Sequence, residues 1–151
     1  HPVMNGVLGG WQLNGAWQHQ SGGPLGFGNA IFNGDLNNVL LPDGQRSVDQ
    51  WFNLNAGFER NSARQLASNL IRFSPRFSGI RGPGQDRMDL GLIKYFQITE
   101  RFRLQFRAET FNALNHPNLA NPNTSLTSGA FGTITSQDPP RSWQGALKLT
   151  F

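Results

Sequence analysis

Arg101-Phe-Arg-Leu-Gln-Phe-Arg-Ala-Glu-Thr-Phe-Asn112, written RFRLQFRAETFN, alternates through most of its length. Phe102, Leu104, Phe106, Ala108 and Thr110 fall on one face; Arg101, Arg103, Gln105, Arg107 and Glu109 fall on the other. Successive strand residues point to opposite faces, so a period of two over this span predicts a β-strand. A sheet lying on a soluble core also alternates. Three Arg and a Glu on a single face fit a different setting: a charged side lining a hydrated lumen and an apolar side turned to lipid. On this reading Arg101, Arg103, Arg107 and Glu109 face the lumen, and Phe102, Leu104 and Phe106 face lipid.

Three neighbouring segments extend the pattern. Met88, Leu90 and Leu92 alternate upstream, and only Phe96-Gln-Ile-Thr-Glu100 separates them from the decisive stretch, which predicts an antiparallel hairpin. Near the start, Asn14-Gly15 would ordinarily signal a hairpin turn. A turn there would mix Trp with Gln on each face, whereas one continuous strand keeps Trp11, Leu13, Gly15 and Trp17 together. The chain closes on Trp143-Gln-Gly-Ala-Leu-Lys-Leu-Thr-Phe151, with Gly145, Leu147, Leu149 and Phe151 on one face and Lys148 on the other. The fold class expected is all-β: antiparallel amphipathic strands at about 9–20, 87–96, 101–112 and 142–151 from a transmembrane β-barrel.

Between the strands, residues 22–86 and 113–141 read as long loops, rich in Gly, Pro and Asn. Ser62 could cap a short helix carrying Ala63, Leu66, Ala67 and Leu70 on one stripe. Val48–Asn55 reads as a short strand or a packed loop. Antiparallel order then sends both long connections to one rim and the single short turn to the other, the asymmetry of bacterial outer-membrane barrels.

Composition narrows the classes. The chain has no Cys, which removes disulfides and thiolate chemistry. Its apolar runs fall short of the ~20 residues of a membrane helix. Residues 60–107 hold nine Arg and Lys94 against Asp86, Asp89 and Glu100. No recognition helix or aromatic-interleaved RNA motif accompanies that basic block, so the expectation is no nucleic-acid partner and an Arg-lined polar face instead.

Catalytic chemistry finds little footing. His1 could open a copper site through its amine and imidazole, but Pro2 gives that no support, and His116 reads as a turn residue. Asp86 and Asp89 could pair for acid–base work or calcium; beside Arg81 and Arg87 they read as salt-bridged or solvated. Gly23-Pro-Leu-Gly-Phe-Gly28 lacks the strand–helix setting of a dinucleotide fingerprint, and no nucleophile elbow occurs. The expectation is no catalytic residue, no metal and no cofactor.

Phe106-Arg-Ala-Glu-Thr-Phe-Asn-Ala-Leu-Asn-His-Pro-Asn118, Asn121-Pro-Asn, Phe131-Gly-Thr-Ile-Thr135 and the terminal Gly145-Ala-Leu-Lys-Leu-Thr-Phe151 resemble the C-terminal end of TonB-dependent receptor-like outer-membrane proteins of the Oar-like group. Gly10-Trp-Gln-Leu-Asn-Gly, Trp51-Phe-Asn and Arg81-Gly-Pro-Gly also look like that group. The resemblance implies that residues 1–151 are the C-terminal segment of a longer barrel in the bacterial outer membrane, with a structural and ligand-uptake role. It implies three partners: membrane lipid, the remainder of its own barrel or other copies of itself, and the barrel-assembly machinery. It also implies that Gly145, Leu147, Leu149 and Phe151 form the signal that this machinery reads. Four strands cannot close a barrel, since known examples start at about eight. Two competing readings stand beside it: a self-associating, fibre-like β structure, and a secreted sugar-binding β module stacking ligands on Trp11, Trp17 and Trp51.

Overall fold

The computed structural model describes residues 8–65 and 77–151, and within it the chain divides into two compact units. The first takes its described residues from 8–19, 86–117 and 139–151; the second takes its from 20–65, 77–85 and 118–138.

The first unit is built on a sheet of four long strands: β1 (Trp11–Gln20), β4 (Gln85–Gln97), β5 (Arg103–Phe111) and β6 (Ser142–Thr150), in the order β1-β4-β5-β6. The short strands β2 (Pro24–Leu25) and β3 (Phe77–Arg81) pair separately in the second unit. β4–β5 and β5–β6 are antiparallel. β1 runs antiparallel to β4 as well: a side chain on Gly10 would meet the Tyr95 carbonyl, and one on Gly15 the Asp89 carbonyl. At 9–13 residues the long strands reach the ~9–11 needed to cross a bilayer at a tilt. β1 is continuous through Asn14-Gly15, as the mixed faces of a hairpin there require.

Register keeps the two faces separate from strand to strand. Phe96 opposes Leu104 and Leu104 opposes Leu149; Phe106 opposes Leu147; Leu92 opposes Ala108 and Ala108 opposes Gly145. The alternate sets of partners, Tyr95 with Gln105 and Lys148 among them, lie on the other side. A one-residue slip would exchange the faces completely, so the pattern itself pins the pairing.

Lys94 interrupts the apolar face. Paired with Phe106, it lies on the same side as Leu92 and Phe96, yet it is fully buried. Its ammonium donates to the Gly9 carbonyl at 2.7 Å and sits 4.8 Å from the Trp11 ring centre and 5.1 Å from that of Phe96. A carbonyl and two π-faces thus replace part of its hydration.

Both ends of β5 are closed by side chains. At the short turn, Ile98 N–H donates to the Phe102 carbonyl, and the Thr99 hydroxyl accepts from the N–H of Arg101 and Phe102. Arg101 and Phe102 therefore belong to the turn that precedes β5. At the far end Asn112 takes a positive φ of 52° and is buried. Its side chain accepts from His116 N–H at 3.0 Å and donates to the His116 carbonyl at 3.0 Å. Asn115, also at positive φ, accepts from Arg141 N–H and so ties the turn to the start of β6.

The second unit differs from a plain pair of loops. Leu25, Phe27, Val39, Phe52, Phe58, Ile80 and Phe131 are buried together, and this core lies wholly in the connections. Phe27 stacks on Phe58 at 5.0 Å and meets Phe52 edge-on at 5.2 Å. Gly34 and Gly57 touch backbone to backbone, and Gly57 has a φ of 127°, so neither site has room for a side chain. Val48–Asn55 is a packed loop anchored by Phe52. The expected helix at Ser62 is, in its described part, one 3-10 turn over Ser62–Arg64, capped by Asn61 rather than Ser62. Asn61 wins because its oxygen reaches the Ala63 N–H two residues on, the usual Asx geometry. Leu66, Ala67 and Leu70 lie outside the described residues.

Asn112→Ala removes both side-chain hydrogen bonds that brace the His116 backbone, so unfolding in detergent micelles, followed by Trp fluorescence, should be easier by about 1–3 kcal/mol.

Candidate functional site

The polar face of the four-stranded sheet gathers most of the chemistry of the first unit. Arg87 and Asp89 on β4 form an ion pair at 3.0 Å, and Asp89 also accepts from Asn112 N–H at 2.9 Å. Arg107 and Glu109 pair in the same i, i+2 manner on β5. Between them Gly91 leaves a hollow of about 260 Å³ on that face, bounded by Asn14, Asp89, Glu109 and Phe111. A side chain at Gly91 would collide with Asn14, so the absence of a Cβ is what keeps this gap open.

Nearer the short turn the same face changes character. Arg103 lays its guanidinium 4.4 Å from the Tyr95 ring centre, and Gln105 donates to the Tyr95 hydroxyl at 3.3 Å. Lys148 stands across from Gln105 on β6. Arg103, Arg107 and Glu109 therefore share one face, while Arg101 sits in the turn. Leu104 and Phe106 share the opposite face with Gly145, Leu147 and Leu149. Phe102 precedes β5 and Phe151 follows β6; both are exposed.

Among the described residues the apolar face is exposed at the sheet's two edges. Leu13 and Trp17 on β1, and Trp143 and Leu147 on β6, are each 70–73% exposed. Trp and Phe mark both ends of this face, with Trp17 and Trp143 toward the long connections and Trp11 and Phe96 toward the short turn, as interfacial girdles do. Trp17 is held by its indole N–H donating to Asp86 at 2.6 Å, and His19 lies 3.7 Å from the same carboxylate. Asp86 is thus a rim anchor, a role its place in the sequence beside Arg81 and Arg87 did not reveal. Arg81 instead donates to the Gly22 carbonyl.

His116 takes part in the Asn112 turn through its backbone. Among the described residues no three His, Asp or Glu side chains are grouped to hold a metal ion. The cage around Lys94 could not be foreseen, because Gly9 and Lys94 are 85 residues apart.

Leu92→Lys, one step along the same face and without that cage, should cost ~2–4 kcal/mol in vesicle-based unfolding. Lys94→Met should change stability by no more than about 1 kcal/mol, because an apolar replacement of a buried charge is near neutral.

A family model described as an outer membrane beta barrel domain matches residues 1–144, which takes in β1 to β5 and the start of β6. No curated protein and no solved structure matches the chain.

Proposed function

The chain belongs to the outer membrane beta-barrel domain family and resides in the bacterial outer membrane; from that premise we propose that it is the C-terminal barrel segment of a TonB-dependent receptor-like protein. Its role is structural and in ligand uptake, without catalysis. One observation carries this reading beyond a generic barrel. The described residues of the connections, 20–65, 77–85 and 118–138, condense on an aromatic core of their own, Phe27, Phe52, Phe58 and Phe131. A barrel that only spans the membrane has no need of such a unit, whereas capture of a ligand needs loops held in a fixed shape. On this reading the long connections are extracellular and supply the ligand contacts.

The reading frame upstream of His1 provides the test of class. A plug-like domain encoded there supports the receptor role, and a start codon with a signal sequence directly upstream overturns it.

The exposed edges β1 and β6 favour a second reading, self-association through unpaired strands. Cross-linked species that stay large after detergent is added would support it over the receptor segment.

In β6 the apolar face presents Leu147 and Leu149 beside Phe106 and Leu104, with Phe151 just beyond. If the assembly machinery reads this face, Phe151→Ala in the complete protein should lower the yield of heat-resistant barrel in cell envelopes. Gln144→Ala, on the polar face, should leave that yield unchanged. Equal yields would mean that β6 carries no signal in its terminal aromatic.

A further inference from the structure

Carboxylates are spread unevenly along the polar face. Each Arg toward the long connections has an acid two residues further along its own strand, Arg87 with Asp89 and Arg107 with Glu109. Arg103 has Gln105 in that position, a neutral amide that turns to Tyr95 instead. The two rows of side chains nearest the short turn are Gln97, Arg103 and Thr150, then Tyr95, Gln105 and Lys148. They contain two cations, no acid and four neutral hydrogen-bonding groups. Glu100, the nearest acid in sequence, is exposed on the turn and forms no ion pair among the described residues.

The geometry suits a ligand better than it suits the sheet alone. Arg103 and Lys148 are diagonal neighbours across β5–β6, at a Cβ separation of about 7–8 Å for that relation. One tetrahedral oxyanion can bridge a guanidinium and an ammonium over such a gap. Stacking on Tyr95 holds the guanidinium plane in place, which lowers the entropy lost when its N–H groups meet an anion. Both cations are exposed on this face, so the site is open to a solute.

We propose that Arg103 and Lys148, with Tyr95 and Gln105 in support, form a binding site for a phosphate-type oxyanion on the polar face near the short-turn rim. This rests on the reading that the polar face is hydrated while the opposite face meets lipid. The site recognises a dianionic tetrahedral group, whether free phosphate or a phosphomonoester. By contrast, the Arg87–Asp89 and Arg107–Glu109 stretch is internally neutralised and offers such a ligand no net charge.

Tyr95 is the only tyrosine of the chain, so a single labelled ring reports on the site. The full chain, in zwitterionic detergent micelles with ¹³C-labelled tyrosine, is titrated with inorganic phosphate, with glycerol phosphate and with chloride. The expected result is a saturable shift of the Tyr95 resonance with phosphate that chloride at equal ionic strength does not reproduce. A tighter response to glycerol phosphate identifies an ester as the natural ligand, and an equal or weaker one identifies the free ion. Arg103→Gln and Lys148→Gln should each weaken binding by about tenfold, the loss of one charge-assisted contact. Gln105→Glu should weaken it similarly by giving Arg103 the internal partner that Arg107 already has, and it keeps every cation in place. An unresponsive Tyr95, an equal response to chloride, or undiminished binding by Gln105→Glu would overturn the proposal. Thiol labelling separates this from failure of its premise. If water-soluble maleimide modifies Gln105→Cys and spares Phe106→Cys, the hydrated face stands whatever phosphate does; the reverse pattern removes both.

Discussion

A β-strand must show one set of side chains to each side of its sheet, and here the large apolar side chains at the sheet's two edges lie exposed among the described residues. The four long strands hold their backbone groups in ladder hydrogen bonds, while their apolar face carries exposed Trp17, Trp143 and Leu147 and their polar face carries Arg, Glu and Gln. In water such a sheet would leave its edges and its apolar surface unprotected. On the barrel reading proposed above, lipid covers the apolar face and adjoining strands cover the edges. Membership of the outer membrane beta-barrel family and the two-faced register are therefore one fact seen from two directions.

Burial follows the same division. The buried apolar side chains belong to the connections, β2 and β3 included, rather than to the four long strands. Phe27, Phe52, Phe58 and Phe131 can pack against one another in water, which is the solvent their segments meet on the extracellular reading, so they drive a core by the ordinary hydrophobic effect. Strand side chains that face lipid gain nothing comparable from clustering. Stability in the first unit rests instead on ladder bonding, on side-chain braces such as Asn112, and on local neutralisation of charge. Lys94 shows how far that last demand reaches. A cation on the apolar face is retained by a backbone carbonyl and two aromatic rings.

Ionic pairing on the polar face extends the argument from stability to selectivity. Where an acid follows an Arg at the second position, the charge is spent within the strand, as at Arg107 and Glu109. Where Gln105 stands in that position, the charge of Arg103 remains available to solutes and only the Tyr95 ring orients it. Replacement of one carboxylate by an amide thus separates a structural stretch from a binding stretch on a surface of otherwise similar composition.

The sequence by itself determined the strands, their faces and the rim asymmetry, because strand periodicity is a local property and each residue carries its own face in its number. Leu104 and Phe106, and Gly145, Leu147 and Leu149, could be sorted onto one side of the sheet without any partner, whereas Phe102 falls in the turn and Phe151 beyond β6. The rejection of a turn at Asn14-Gly15 needed only the pairing rule. Tertiary structure alone decided what depends on distant residues. Residues 22–86 and 113–141 read as loops because they are rich in Gly, Pro and Asn; their shared core exists only once Phe27, Phe58 and Phe131 meet. The cap moved from Ser62 to Asn61, and Asp86 became the anchor of Trp17 across 69 residues. Lys94, in the sequence only one cation of a basic block, lies on the apolar side beneath a carbonyl from Gly9. Periodicity records which way a side chain points, but what it meets is set by chain closure over distances that no local pattern encodes.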